Sequence, residues 1–336
     1  MIKYQERLLN ISNDSLIDVH THSGGLDFSN FLRGKYPYCQ DLTDLYFKGK
    51  SSSVSHQVVF PMPTSSYYDT FAYWEYGVFR PSGFCQFPFE VENSHLLKSI
   101  SQMPFERGFF LPFLSFSLQD KVSEQEESIL KLTMQSPHVW GFKFHTSTDQ
   151  KSALQIEKES GFLDIAAELH RPFIIHTGLA PCSNPVNVVE LASRHPNIVF
   201  CAAHFGSFSQ VFANLLDEYP YDNLFFDTSG LVPLCNNIKA SSPLGVLNLD
   251  YKNPISVFNY YADRFPQRIL WGSDSPWYNS FDFNKAPLDT KLRTYSQESN
   301  IVSDSYKRQI LNNTTRFLSG SPPKKYTLDS KEILHL

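Results

Sequence analysis

The sequence predicts an α/β fold, a (β/α)8 TIM barrel with insertions in the βα loops after strands 2 and 7. Its 336 residues suit one such barrel with insertions. Hydrophobic residues make up 41% and charged residues 19%, so a large core is available and global disorder is excluded. A short β-branched or aromatic run with a polar or glycine-containing end recurs eight times, with helix-like segments between the runs. Strands that alternate with helices predict parallel pairing, and eight repeats predict closure into a barrel.

The eight predicted strands are mostly continuously apolar before their polar ends, as strands buried on both faces should be. They cover residues 16–22, 57–61, 108–114, 139–145, 172–178, 198–204, 224–230 and 268–274. Helices are predicted at residues 121–134, 162–170, 184–195, 210–219, 255–265 and 303–318. The third of these is clearly marked, because it opens on a capping Asn184 followed by Pro185 and stops before Pro196.

Two connections are too long for simple barrel loops. Residues 62–106 are rich in aromatic side chains, and residues 231–252 are rich in serine, asparagine and leucine. Both follow strands, so both are expected on the C-terminal face of the barrel, where barrel enzymes keep their active sites. For residues 62–106 two interpretations stay open: a small core of their own, which we favour, or a substrate lid or pocket wall. The chain is predicted to form a single domain over residues 1–336, with a core of about 14–320 and a tail at 321–336.

Charge and composition restrict the class of partner. The net charge of -5 is spread without basic blocks, which argues against a nucleic-acid groove. No stretch approaches 18 uncharged apolar residues, so no membrane span is expected. Five widely spaced cysteines without a CxxC pair predict reduced thiols, and the first residues lack the apolar region of a secretory signal. We therefore expect a cytoplasmic protein that acts on a small-molecule substrate, and the sequence leaves open a homo-oligomer.

Five of the eight predicted strands end in a metal ligand or a proton-transfer group. Side chains alternate along a strand, so Asp18, His20 and His22 are expected on one face, pointing into the barrel. Lys143 and His145 share a face of strand four in the same way. Histidine or aspartate closes three further strands, at His176, His204 and Asp274.

A lone histidine at a strand end is more often structural than a ligand, but the joint pattern predicts a metal site. Imidazole and carboxylate together suit zinc and similar divalent ions. Burying so many polar groups without an ion would leave unpaired donors and acceptors, each at a cost of about 1–3 kcal/mol.

The motifs DVHTH, GFKFH, IIHTG, AAHFG and WGSDSPW, in that order at those strand ends, resemble the amidohydrolase superfamily. The resemblance is strongest to the amidohydrolase-2 branch of TIM-barrel metal-dependent hydrolases. It runs from about residue 16 to about residue 318 and includes ILNNTTRFL, which is similar to the final helix of that branch.

The resemblance implies a divalent metal, Zn²⁺ first and Mn²⁺ as an alternative, as one or two ions. It implies that His20, His22, His176 and Asp274 bind the metal, and that Asp274 also takes a proton from the attacking water. His204 would be a ligand of a second metal or, in single-metal members, a catalytic acid/base.

Three further residues have open roles. In two-metal members a strand-four lysine is carboxylated and bridges the ions, which would make Lys143 a ligand. Otherwise Lys143 is neutral, paired with a carboxylate, or bound to a substrate carboxylate, since a buried cation beside a metal is costly. His145 and Asp227 are candidates for substrate binding. Asp227 could also orient His204, or only satisfy backbone donors.

The favoured function is hydrolysis of an amide, ester or lactone-type bond by a metal-activated water, whose pKa falls from about 15.7 toward about 7. The alternative is nonoxidative decarboxylation of an unsaturated or aromatic acid, because the branch includes decarboxylases resembling aminocarboxymuconate-semialdehyde decarboxylase. Lys143 favours hydrolysis, whereas the aromatic loop favours decarboxylation. A third hypothesis, a binding barrel with a relict site, is disfavoured because all the expected ligand types are present; metal analysis separates it from the enzymes.

Overall fold

Eight parallel strands form a single sheet in the order β1 to β8, which confirms the predicted (β/α)8 barrel. The computed structural model describes residues 15–24, 40–104, 106, 108–136, 138–241, 243–277 and 295–320. The strands are β1 Leu16–Ser23, β2 Val54–Pro61, β3 Phe110–Phe116, β4 Gly141–Phe144, β5 Phe173–Ile175, β6 Phe200–Ala202, β7 Leu224–Asp227 and β8 Ile269–Leu270. Strands β4 to β8 are all shorter than predicted, and in β5, β6 and β8 the polar residues that were predicted to end the strand lie beyond the ladder.

The barrel is closed by hydrogen bonds between its first and last strands. Val19 N donates to Trp271 O over 3.0 Å, and Asp274 N donates to His20 O over 2.9 Å. A parallel bridge joins Thr21 to Ser275 just beyond β8. These bonds place the residues after β8 directly beside the histidines of β1.

The helices surround the sheet, and all six predicted helices are present to within one residue at each end. The described helices are α1 Leu42–Lys50, α2 Thr70–Tyr76, α3 Glu90–Gln102, α4 Val122–Gln135, α5 Thr146–Asp149, α6 Leu154–Glu159, α7 Phe162–Leu169, α8 Pro185–Arg194, α9 Gln210–Glu218, α10 Leu231–Ser241, α11 Pro254–Arg264, α12 Tyr295–Ser299 and α13 Asp304–Leu318. Helices α1, α2, α3, α5, α6, α10 and α12 were not predicted; in α3 the N-cap residue Phe89 makes no side-chain capping bond and gives no start signal. None of the helices in these ranges is long and apolar enough to cross a membrane.

Apolar side chains from several strands fill the barrel. Val58, Phe60, Phe113 and Ile174 are fully buried in one cluster. Phe317, at the end of α13, belongs to the same cluster and stacks on Phe113 with 6.2 Å between ring centroids. Each such side chain contributes about 1.5–3 kcal/mol when buried, so the barrel has a core that does not depend on a bound ion.

The pairing of β1 with β2 is irregular where the functional residues begin. Its register shifts between Asp18 and Thr21, which is typical of a bulge. The Asp18 carboxylate accepts hydrogen bonds from Ser273 N, over 3.0 Å, and from the hydroxyl of Tyr295 in α12. The prediction that Asp18 shares a row with His20 and His22 is therefore wrong, because the bulge interrupts the alternation and Asp18 contacts the helix layer.

Candidate metal centre

The strand-end residues meet at the C-terminal end of the barrel. One donor atom each of His20, His204 and Asp274 forms a group in which all distances are within 4.8 Å. His22 and His176 border this group, each in contact with one of its members. The structure thus brings together side chains from β1, from the residues that follow β5 and β6, and from the turn after β8, as their positions predicted.

Asp274 lies between the histidines of β1 and the cavity above them. Its Oδ1 is 3.4 Å from His20 Nε2 and 3.5 Å from His22 Nε2. A Cβ placed on Gly230, whose φ of +68° favours glycine, would lie 3.3 Å from Asp274 Oδ2. One oxygen therefore faces the imidazoles, and the other faces a wall that has no side chain at this point.

Backbone strain accompanies this arrangement. Asp274 and His204 have φ of 59° and 60°, in the left-handed region that residues other than glycine rarely adopt. Such strain persists only where surrounding bonds hold it, and it is concentrated at functional sites. Burial alone would raise the pKa of Asp274, but the contact with His22 and the nearby histidines outweigh it and hold the pKa below its usual value. The group is therefore a carboxylate at neutral pH.

Partners on the far side of each ring orient the two histidines of β1. His20 Nδ1 lies 2.8 Å from Asp227 Oδ2, and His22 Nδ1 lies 3.1 Å from the Pro61 carbonyl oxygen. Because both oxygens only accept, each Nδ1 carries the proton and each Nε2 presents a lone pair toward Asp274. Burial, followed by the charge of Lys143, lowers the pKa of His20 to about 3, so this ring is neutral.

The histidines after β5 and β6 are paired with each other. His204 Nδ1 lies 3.0 Å from the Ser229 carbonyl oxygen and so carries a proton, which leaves Nε2 as an acceptor. His176 Nδ1 donates to that nitrogen over 3.0 Å. The compact group therefore includes His204, and His176 contacts this group through His204 while also lining the cavity.

Asp227 is fully buried beneath the histidines and does not line the cavity. The ring it contacts belongs to His20, not to His204; to His204 it offers only Oδ1, which accepts the backbone N–H over 3.0 Å. Burial would raise its pKa, but the contact with His20 holds it below the usual range. The expectation that Asp227 binds substrate is therefore not met, because β7 places it beneath the imidazoles.

Ser229 is a site residue that the sequence analysis missed. Its hydroxyl lies 3.1 Å from His20 Nδ1 and 3.0 Å from His204 Nδ1, and it also bonds to Asp227. Strand alternation within FFDTSG was the available signal, because it places residue 229 on the same face as Asp227.

Lys143 is 2% exposed, and its ammonium nitrogen lies 3.2 Å from His20 Nε2. The nitrogen also lies 4.6 Å from the centre of the Phe60 ring. Burial lowers the pKa of Lys143 to about 8, and the charges of Asp227 and Asp274 oppose this effect. The ammonium thus donates to the lone pair that His20 would offer to an ion.

The donor set fits a divalent metal ion. Two unprotonated imidazole nitrogens and one carboxylate are ligands that zinc and manganese accept, and each of the two rings has a second partner that fixes its orientation. Lys143 and His176, which donate to these two nitrogens, must change their contacts or their charge when an ion is bound.

A cavity of about 480 Å³ opens above these groups. His22, His145, His176, His204 and Asp274 line its base. His145 Nδ1 accepts the N–H of Thr148 over 3.1 Å, so its proton is on Nε2. Burial lowers the pKa of His145 well below its usual value, and the ring stacks on His176 at 4.0 Å. His145 is therefore a neutral hydrogen-bond donor at the cavity wall.

Both long connections contribute to this wall. Met62 and Tyr73, from the segment after β2, line the cavity together with residues of α10. Other aromatic residues of that segment pack on one another, with Tyr68 and Phe79 at 5.2 Å. Residues 62–106 thus combine the two interpretations given above, a small aromatic core and a pocket wall.

Solved structures of this shape include hydrolases and decarboxylases. A probable 2-pyrone-4,6-dicarboxylic acid hydrolase from Acinetobacter baumannii, with citric acid bound, is 16% identical, with a TM-score of 0.56 over 91% of this chain and 99% of that one. An amidohydrolase from Burkholderia multivorans with bound zinc is 13% identical, with a TM-score of 0.56 over 92% and 100%. A 5-carboxyvanillate decarboxylase from Novosphingobium aromaticivorans with bound manganese is 10% identical, with a TM-score of 0.57 over 91% and 98%. At these identities the likeness shows the fold.

Family membership rests on the sequence itself. No curated protein matches the chain. The family model described as amidohydrolase, that of the amidohydrolase-2 branch, matches residues 17–318. This range includes every strand of the barrel except the first residue of β1, and all the strand-end residues discussed above. The chain therefore belongs to the amidohydrolase family, a family of enzymes that act on small molecules.

Proposed function

We propose that the protein is a divalent-metal-dependent hydrolase that cleaves an amide, ester or lactone-type bond of a small molecule. The observation that carries this proposal is that the two oxygens of the Asp274 carboxylate face different surroundings. Oδ1 is directed at the Nε2 atoms of His20 and His22, and Oδ2 is directed at the cavity wall at Gly230. A carboxylate placed in this way serves both as a ligand and as a base for water in the cavity.

His20, His204 and Asp274 would hold the ion, with His22 and His176 completing its surroundings. Bound there, a zinc or manganese ion would supply Lewis acidity toward the substrate carbonyl and acidify water at neutral pH. Alternatively, His204 acts as the acid/base that polarises the substrate. Asp274 accepts the proton of the attacking water and passes it to the leaving group. His145 donates its Nε2–H to the substrate and orients it.

Removal of the metal provides the direct test of this proposal. We expect the purified protein to carry about one to two equivalents of zinc or manganese, since two lone-pair imidazoles and a carboxylate converge there. A chelator should abolish hydrolysis of a panel of esters, lactones and amides, and added ion should restore it. Metal analysis and titration of the released acid give the readout. A metal-free preparation with full hydrolytic activity would contradict the proposal.

Lys143 makes a second prediction possible. An ammonium group 3.2 Å from a ligating nitrogen would repel an ion, and an amine with a lowered pKa reacts more readily with CO2. We therefore expect Lys143 to be carboxylated when metal is bound. Lys143→Ala should lose activity about 100-fold, and acetate or propionate should partly restore it by supplying a carboxylate. Lys158→Ala, at an exposed position, is the matched control.

A cationic role of Lys143 would give different results in the same experiments. If the side chain acts as a cation, Lys143→Arg should retain most of the activity, and small carboxylic acids should rescue nothing. Full activity of Lys143→Arg would therefore exclude the carboxylated form.

Decarboxylation of a planar acid is the second candidate function. Tyr73 and Trp277 line the cavity, and their flat faces suit an aromatic substrate. Two of the solved structures similar to this chain are of 2,6-dihydroxybenzoate decarboxylase, one of them with 2,6-dihydroxybenzoate bound. Release of CO2 from hydroxybenzoates by the metal-loaded protein, without hydrolysis of any ester or lactone, would favour this candidate.

A further inference from the structure

Helix α10 presents one face to the cavity. The lining residues of this helix are Pro233, Leu234, Asn237, Ile238 and Ser241, whose spacing of one, three or four residues places them on a single face. Three of the five are apolar, and the other two are uncharged. Ile238 is 6% exposed and Leu234 is half-buried, so the apolar part of the face lies toward the core.

Away from the histidines and Asp274, the rest of the cavity lining has a similar character. Met62, Leu179 and Trp277 contribute apolar side chains, and polar residues such as Thr64 and Ser147 contribute uncharged hydroxyls. Leu179 is 65% exposed, which places an apolar side chain at the mouth of the cavity. Apolar walls with a few uncharged polar groups are typical of sites that bind small molecules of low polarity.

Among the described residues that line the cavity, the charged group lies at its base. Among the lining residues that the structure describes, Asp274 is the only acidic one, and there is no lysine or arginine. A carboxylate at the far end of a substrate would lose its hydration between apolar walls without a guanidinium or ammonium partner. Desolvating an unpaired charge is costly, whereas an uncharged apolar body gains free energy on these walls.

We propose that the site takes an uncharged ester or lactone whose apolar body lies along α10, and that it disfavours substrates with a remote carboxylate. This inference rests on the proposed hydrolase function and specifies its substrate class. It separates the chain from the structurally similar proteins described as acting on dicarboxylic or benzoic acids.

The test uses matched pairs of substrates with the metal-loaded full chain. γ-Nonalactone is compared with a γ-lactone of the same length that ends in a carboxylate, and dihydrocoumarin with its carboxylated derivative. We expect kcat/KM to be at least about 100-fold higher for the uncharged member of each pair. A wild-type preference for the carboxylated members would overturn the substrate class and leave the hydrolase function standing.

Two neighbouring asparagines of α10 provide matched variants. Both are exposed, but Asn237 lines the cavity and Asn236 does not. Asn237→Arg should reduce the preference for the uncharged substrate about tenfold by pairing with the remote carboxylate, whereas Asn236→Arg should leave it unchanged. Equal effects of the two variants would contradict the placement of the substrate along α10.

Absence of turnover for both members of every pair would contradict the hydrolase function, and a binding measurement then tests the substrate class separately. The corresponding lactams, with and without the carboxylate, are titrated by calorimetry. Tighter binding of the uncharged lactam supports the substrate class. Equal binding, tighter binding of the carboxylated lactam, or no binding of either overturns it.

Discussion

Asp274→Asn is expected to lower kcat about 10²–10⁴-fold, the usual loss when general-base help is removed. The amide keeps the shape and one oxygen that can face His20 and His22, but it cannot accept a proton at neutral pH. The low pKa of Asp274 shows that the wild-type group is ionised and ready to do so. Metal content should therefore fall far less than turnover.

Steady-state kinetics and metal analysis on the same preparation provide the check. Asp217→Asn, which changes an exposed carboxylate paired with Arg264, is the control and should have no effect on kcat. An Asp274→Asn variant that retains more than about a tenth of the turnover would show that the proton goes elsewhere, with His204 as the next acceptor. If turnover and metal were both lost, Asp274 would be a ligand first, and its role as base would need other evidence.

His20→Ala is expected to remove the metal and the activity together while the barrel still folds. His20 is the ring with the most extensive set of site partners, since it contacts Asp227, Ser229, Lys143 and Asp274. Its loss leaves Asp227 with the backbone N–H groups of His204 and Ser229 as partners, so the free energy of unfolding should fall by only about 1–3 kcal/mol. His176→Ala should behave similarly.

Circular dichroism during urea unfolding, together with metal analysis, measures both effects. His95→Ala, at an exposed position of α3, is the control and should keep the metal, the activity and the stability. Complete unfolding of the His20 variant would instead identify the ion as a structural one, because a catalytic ion is not required by a core of this size.

The fold was predictable because its signals are local and repeated. Proline and capping residues mark helices such as α8, and apolar runs mark the strands, so element order and closure follow from eight repeats. The positions of His20, His176, His204 and Asp274 were predictable for the same reason, since the ends of parallel strands meet at one end of a barrel.

Other features depend on contacts that the linear sequence does not express. The bulge in β1 turns Asp18 toward α12, and a strict period of two could not reveal it. The proton positions of His145 and His204 follow from Thr148 and from the Ser229 carbonyl, which only the folded chain brings into contact. Helix α3 begins without a capping side chain and therefore has no sequence signal at its start.

The closure of the barrel between β1 and β8 has a consequence for biosynthesis. Asp18 bonds to Ser273 across 255 positions of the chain, and Asp274 is anchored to the carbonyl of His20. The imidazoles of the first strand emerge from the ribosome long before the carboxylate that completes their group has been translated. Because contacts so distant in sequence form late in folding, ion capture is expected to accompany docking of the last strand. An incomplete chain that ends before β8 would keep most of the barrel's strands and still lack the centre.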